Sequence, residues 1–406
     1  MSSRPPVIVV FGAGSIGRSF IGQVFARGGW SVVFVDVDTA LVEALNRERV
    51  YEVVIRRQGE RDESIRVELL RAIDGRDRAS VAAELAAADL AATCVGKAAL
   101  PALIPTIAEG LRLRVAAGGT GLDLILAEND REAAATLRQG LSALLPEDFR
   151  LADRLGLVET SIGKMVPTLS ASERSADPLR VCAEAYNELI VDRRGFLGAL
   201  PVLPELRPVD NILAYVDRKL FVHNLGHAAV AYLGLQVDRS VTLIARALGL
   251  EGVEAGARRA MGEAARALVR EYPAEFSQAG LEAHIDDLLA RFANEGLGDS
   301  VYRVGRDLRR KLHRSDRIVG AALLCEGQGL PWEGIAAVFA AALRFDAMDE
   351  TGAAVPGDLT ARAFLEDRGI GAFLTEICAL DGSVPADARV RAGLEAAVRR
   401  GTDSAV

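Results

Sequence analysis

The sequence predicts an α/β protein, an N-terminal doubly wound parallel sheet followed by an all-α C-terminal domain. Three observations carry that prediction. Compact apolar runs alternate with helical stretches through the first part of the chain, the rhythm of βαβ units. A glycine-rich turn joins the first apolar run to the first helix. Beyond about residue 195 strand-like runs almost vanish, and long Ala/Leu/Arg/Glu segments take over.

The segment "PVIVVFGAG" (6–14) reads as a short buried strand entering a tight turn, and "SIGRSFIGQVFARGG" (15–29) as a helix ended by Gly28 and Gly29. "WSVVFVDVD" (30–38) is a second strand; "DLAATCVG" (89–96) and "LDLILAEN" (122–129) are later ones. "RLGLVETSIGKMVP" (154–167) is expected to close the sheet. The Gly- and Pro-rich stretch 193–211 marks a boundary, which predicts a nucleotide-binding domain over 1–195 and a helical substrate domain over 196–406. In the second half, 241–272 and 334–348 carry apolar residues at helical spacing, 349–358 is a loop, and 399–406 reads as a frayed tail.

Composition narrows the function. A chain of 406 residues, half of them hydrophobic, suggests two or three domains. The net charge of −8 has no basic block to offset it, which argues against nucleic acid as the main partner. No apolar run reaches the ~18 residues needed to span a bilayer. The apolar N-terminal run leads straight into the glycine turn without a cleavage site, so a soluble cytoplasmic protein is the expectation. Cys94, Cys182, Cys325 and Cys378 are scattered, and His223, His227, His284 and His313 form no metal-ligand motif, which favours a metal-free mechanism. Of 48 basic residues only Lys97, Lys164, Lys219 and Lys311 are lysines. Arg keeps its proton in a protein whereas a desolvated Lys can lose it, so the remaining lysines are candidates for sites that need an amine.

Gly12-x-Gly14-x-x-Gly17 lies between the first strand and the first helix, with Ser15 and Ile16 opening that helix. The first Gly allows the turn, the second admits a pyrophosphate to the backbone, and the third lets helix and strand pack closely. Free N–H groups at the helix start face the phosphates. Asp36 ends the second strand, where an acid binds the adenosine ribose and repels a 2′-phosphate; a Rossmann-type domain binding NAD follows. Asp38 is the alternative acid. Gly96 and Asn129 stand at the ends of two later strands, where ligands of such sheets lie. Asn129 is aimed at that crevice, or it caps the helix that follows.

The run from Asn211 to Leu233 predicts a helix that stops at Gly234, and within it "RKLFVHNLGHA" (218–228) is unusual. At ~100° per residue, Asn224 lies about 140° and His227 about 80° from Lys219, so the three share one side. Three polar groups on an apolar helix are costly to bury unless they are paired or face a ligand. Their chemistry suits alcohol oxidation, with Lys as base, amide donors for a developing alkoxide, and His to hold the hydroxyl. Gly226 beside them allows either a ligand or a second helix to come close.

The spacing Lys219-x-x-x-x-Asn224-x-x-His227, with "FGAGSIGRSFIG", "DVDTALVEALN", "GALPVLPELRPVDNILAYVDRKLFVHNLGHAAVAYLG" and "VGRDLRRKL" followed by "SDRI", resembles the polyol-specific long-chain dehydrogenases, the mannitol dehydrogenase family. The similarity spans most of the chain in matching order. It implies a Rossmann domain followed by a helical domain, NAD as cofactor, and a polyol or sugar-phosphate substrate; mannitol 1-phosphate and fructose 6-phosphate are the pair it points to. It further implies Lys219 as general base, Asn224 and Asn129 as the oxyanion site, His227 on the reacting oxygen, and Arg317 of "SDRI" on the substrate. Relatives tend to be monomeric; the sequence itself leaves the oligomeric state open.

Two places depart from the family pattern. Ile162-Gly163-Lys164-Met165 stands where relatives typically have Val-Asp-Arg-Ile, and Lys164 is expected either on the substrate phosphate or at the surface. Gly320 stands where dehydrogenases of phosphorylated substrates often carry Lys. Sister enzymes acting on unphosphorylated polyols or uronates are therefore the alternative. A 6-phosphogluconate-type dehydrogenase has a Lys–Asn spacing one residue shorter. Tyr215-x-x-x-Lys219 mimics the pair of short-chain dehydrogenases, which use a different glycine pattern and a single domain. A non-catalytic NAD(H) sensor is the rival of another class, and the Lys/Asn/His set speaks against it.

Overall fold

The computed structural model describes residues 4–59, 61–167 and 177–403. The chain forms two compact units, Met1–Val216 and Asp217–Val406.

The first unit is a Rossmann-type domain. Its strands are β1 (Val7–Phe11), β2 (Ser31–Asp36), β3 (Tyr51–Ile55), β4 (Glu63–Val67), β5 (Leu70–Asp74), β6 (Leu90–Thr93), β7 (Leu122–Leu126), β8 (Leu155–Ser161), β9 (Val181–Ala183), β10 (Leu189–Asp192) and β11 (Leu206–Val209). Eight of them form one sheet in the order β11-β10-β8-β7-β6-β1-β2-β5, and β4-β3-β9 form a second. Pairing is parallel from β5 through to β8. The strand order reverses at β1, the place where such sheets bind ligands.

The β1 sequence reads as unbroken apolar because both faces of its sheet are covered. Ile8 and Val10 enter one buried cluster with Phe20, Val32 and Phe34, while Val9 and Phe11 enter another with Val33, Leu85 and Leu124.

Three expectations are corrected. The sheet does not close at β8: antiparallel β10 and parallel β11 extend it, and β11 lies in the Gly/Pro-rich stretch. Pro208 is tolerated there because β11 is an edge strand, where one side of the backbone needs no ladder partner. The helix carrying Lys219 does not stop at Gly234 but runs on to Val237. Gly234 is instead a packing site: a Cβ there would stand 2.5 Å from Cβ of Ala247. The expected frayed tail is helical as far as Asp403, the last residue described.

Among the described residues the second unit is all-helical apart from an isolated bridge between Leu243 and Ser300. Helix Leu225–Val237 is buried nearly all round. Helix Val253–Glu271 packs against it, and a Cβ at Gly226 would meet the Met261 thioether at 2.3 Å. Helix packing, rather than ligand approach, therefore accounts for Gly226. Among the described residues no helix is long and apolar enough to cross a membrane.

Candidate active site

The glycine turn of the first unit leaves backbone room beside an open helix end. Gly12 has φ 92°, and a Cβ on it would stand 2.5 Å from Cys94 O. A Cβ at Gly17 would fall 1.9 Å from Gly12 O, so the helix start and the turn touch backbone to backbone. Gly14 is exposed, and a Cβ there would meet nothing within 4 Å. The space above the helix end is thus open where a pyrophosphate would lie. Arg18 N–H closes the first turn on Gly14 O at 3.0 Å, leaving the N–H groups ahead of it, including those of Ser15 and Ile16, at the open end. The residues present fit a dinucleotide.

Asp36, at the end of β2, accepts hydrogen bonds from Ala13 N–H at 2.7 Å and Asp38 N–H at 3.0 Å. Asp38 serves elsewhere, capping helix Thr39–Glu48 by accepting from Leu41 N–H. That separates the two candidate acids. Sequence reasoning missed Arg18. Its buried guanidinium donates to Ala13 O at 2.7 Å and Leu179 O at 2.7 Å, and so braces the turn from below. A charged residue directly after Gly17 on an otherwise apolar helix was the available signal, because a buried charge must be paired.

Gly96 has φ 83°, and its N–H donates to Glu128 Oε2 at 2.7 Å, while Val95 N–H donates to Oε1 at 3.0 Å. Buried Glu128 thereby ties the loops after β6 and β7 together, a role not foreseen from sequence. Asn129 follows it and is exposed. The next helix, Ala133–Leu144, begins after Glu132 without a side-chain cap, so Asn129 is not its cap.

Lys164 is neither at the surface nor open to a phosphate. It is 6% exposed, and its ammonium donates to Glu184 O at 3.1 Å, Tyr186 O at 2.8 Å and Asn187 Oδ1 at 2.8 Å. All three N–H groups of a lysine are then in use. The expected substrate contact gives way to an anchor between the exit of β8 and the chain joining β9 to β10.

In the second unit the helix bearing Lys219 is not uniform. Lys219–Asn224 is a π-helical turn set between α-helical stretches. In a π-turn the hydrogen bond spans five residues, so positions five apart lie about one turn apart, as positions four apart do in an α-helix. Lys219 and Asn224 are therefore brought closer around the axis than regular α-helical spacing predicts. Single π-turns occur frequently at functional sites.

Burial, reinforced by the nearby Arg317 charge, lowers the Lys219 ammonium to about 8. Arg317 is itself buried, its Nε donating to Asp316 Oδ1 at 2.7 Å. Its terminal nitrogens make no hydrogen bond among the described residues. His223, on the same π-turn as Lys219, is held well below its ordinary value by burial and then by Arg291, His227 and Lys219, which keeps it neutral. His227 Nε2 lies 2.9 Å from Asp299 Oδ2. Lys219, His223, His227, Arg291 and Arg317 thus form one electrostatic group within this unit.

Residues 6–205 match the mannitol dehydrogenase Rossmann domain, and residues 211–385 match the mannitol dehydrogenase C-terminal domain. The chain belongs to the mannitol dehydrogenase family. Membership makes it an oxidoreductase of polyols, in line with the expectation from its motifs. It is similar to the mannitol-1-phosphate 5-dehydrogenase of Brevibacillus brevis, 35% identical over 340 residues that cover 83% of this chain and 86% of that one. Its fold is like that of Pseudomonas fluorescens mannitol 2-dehydrogenase in a ternary complex with NAD and D-mannitol. The TM-score there is 0.77 at 17% identity, over 99% of this chain and 93% of that one. It is also like that of a D-sorbitol dehydrogenase in substrate-free form, with TM-score 0.72 at 16% identity, over 91% of this chain and 95% of that one.

Proposed function

We propose that the chain interconverts mannitol 1-phosphate and fructose 6-phosphate with NAD, and that Lys219 is the general base. The observation that carries this reading is an amine lowered to about 8, set on the same π-turn as Asn224. The relative from Brevibacillus brevis supports the phosphorylated substrate.

NAD bound at the glycine turn supplies the hydride acceptor. Neutral Lys219 takes the proton of the secondary alcohol, and its ammonium returns that proton in the reverse direction. The Asn224 side-chain amide donates to the oxygen as negative charge develops on it. His227 holds a hydroxyl of the polyol, and Arg317 offers its open guanidinium edge to substrate oxygens.

A sister reading is favoured by Gly320. A Cβ there would stand 2.9 Å from Phe221 Cε1 and 3.0 Å from Arg314 O, so the site has no room for the Lys common among relatives with phosphorylated substrates. An unphosphorylated ketose or a uronate is then the substrate, with the same machinery.

NADH oxidation with fructose 6-phosphate, fructose, fructuronate and tagaturonate, each repeated with Lys219→Ala, tests both readings. Turnover of the phosphate ester alone, lost in the variant, is the expected result. Turnover only of an unphosphorylated substrate would move the chain to the sister branch. Full activity of Lys219→Ala would remove the proposed base.

A further inference from the structure

The helical unit carries a concavity that the chemistry above leaves unused. Arg239, Arg259, Arg344 and Arg400, with a single carboxylate, Glu333, line an open cleft of about 770 Å³. Leucine and alanine side chains make up most of the remaining lining. Helices Leu225–Val237, Val253–Glu271, Glu333–Ala342 and Pro385–Asp403 contribute its walls. None of Lys219, Asn224, His227 and Arg317 is among them. The volume is in the range of small-molecule sites. Four arginines to one carboxylate also run against the charge of the whole chain, which is −8.

The arginines are not all used by the fold. Arg344 is partly buried, and its side chain makes no hydrogen bond or ion pair among the described residues; only its backbone is engaged, the carbonyl accepting from Arg239 at 3.3 Å. A guanidinium has five N–H donors and cannot shed its charge, so a half-covered one without a partner stands ready for an anion. Arg239 pairs with Asp346 at 3.0 Å, and both side chains are largely exposed. Arg259 is shared between Glu263 at 3.2 Å and Glu333 at 3.5 Å. Glu263 is already committed elsewhere, accepting from Gly334 and Ile335 N–H at 2.9 Å each. Exposed ion pairs contribute little, so Arg239 and Arg259 can turn to a ligand at small cost.

We propose that this cleft binds a small organic polyanion, with its acidic groups on the arginines and its carbon skeleton on the leucine and alanine lining. Guanidinium forks match the oxygens of phosphate and carboxylate two at a time, which sets the ligand class. The cleft is far larger than one inorganic ion, and its apolar lining would be wasted on one. Arg344 is the anchor, because it gives up no existing partner on binding. A purely structural role is the rival. Arg239 and Arg344 each lie two residues past a helix end, and Arg400 is in the last turn of its helix, where a cation answers the negative end of the dipole.

Calorimetric titration of the full chain with citrate and with 2,3-bisphosphoglycerate tests it, at fixed ionic strength and with NADH saturating so that the glycine turn is occupied. Saturable binding of at least one probe is expected, and the tighter of the two tells carboxylate from phosphate. Arg344→Gln should raise Kd roughly 10- to 100-fold, the scale of a charge-assisted hydrogen bond, while Arg344→Lys recovers part of the loss. Without the probe, Arg344→Gln should leave kcat and KM as they are. Tm of the wild type should climb with probe concentration beyond the effect of sodium chloride at equal ionic strength, a readout that needs no variant. No saturable binding of either probe up to about 10 mM, the weak end of small-ligand affinity, overturns the proposal. So does binding that Arg344→Gln leaves intact and Arg317→Gln abolishes, which would belong to the substrate site. An Arg344→Gln protein whose Tm drops equally with and without probe establishes the dipole role instead.

Discussion

Asp36 Oδ2 accepts the Ala13 N–H at 2.7 Å, so the acid at the end of the second strand is built into the glycine turn at the end of the first. Its other oxygen takes the Asp38 N–H at 3.0 Å. A carboxylate has about four lone-pair directions, so two backbone contacts orient the group and still leave capacity for ribose hydroxyls.

That dual engagement predicts the outcome of Asp36→Asn. The Asn oxygen retains one backbone contact, and the fold survives. Removal of the negative charge weakens NAD binding, roughly 10-fold for one charge-assisted hydrogen bond, and lifts the repulsion of a 2′-phosphate. The ratio of kcat/KM for NAD over NADP should fall by at least that factor. A ratio equal to that of the wild type would remove Asp36 from cofactor choice.

The Lys219 amine should write itself into the pH profile. Polyol oxidation needs the neutral form, so its kcat/KM should rise as pH climbs through about 8 and then level off. Ketose reduction needs the ammonium and should fall over the same window. Replacing Arg317 by Gln removes a cation that lowers the amine, so the inflection should move to higher pH. Profiles with no inflection between about 7 and 9 would argue for a different base.

Lys164→Met separates an anchor from a phosphate contact. With the ammonium gone, Glu184 O, Tyr186 O and Asn187 Oδ1 lose a buried donor, at a cost of roughly 1–3 kcal/mol for a group left unsatisfied. Thermal unfolding should therefore come earlier while KM for a sugar phosphate stays put. A raised KM with unaltered stability would restore the substrate role.

The central sheet was legible because β1, β2, β6, β7 and β8 are buried on both faces and read as compact apolar runs. The small sheet β4-β3-β9 was not: β4 is largely exposed, and β9 has three residues, too few to show a period. Gly12, Gly14, Gly17 and Asp36 could be read because local backbone geometry demands those residue types at that spacing. Arg18 and Glu128 could not, since each acts through partners 5 to 161 positions away that only the fold brings near. The Lys219 helix was visible, but its π-turn was not: a stretch apolar nearly all round offers no phase from which one extra residue could be detected.

That extra residue bears on how such chains change length. Removing one position inside 219–224 would turn the bulge into ordinary helix and bring Lys and Asn to a spacing of four, which an α-helix again stacks on one side. Elsewhere in the helix the same deletion would rotate everything beyond it by ~100°. The π-turn is thus the place where this helix can gain or lose a residue without scrambling its faces. Dehydrogenases whose Lys–Asn spacing differs by one can share a common geometry on those terms.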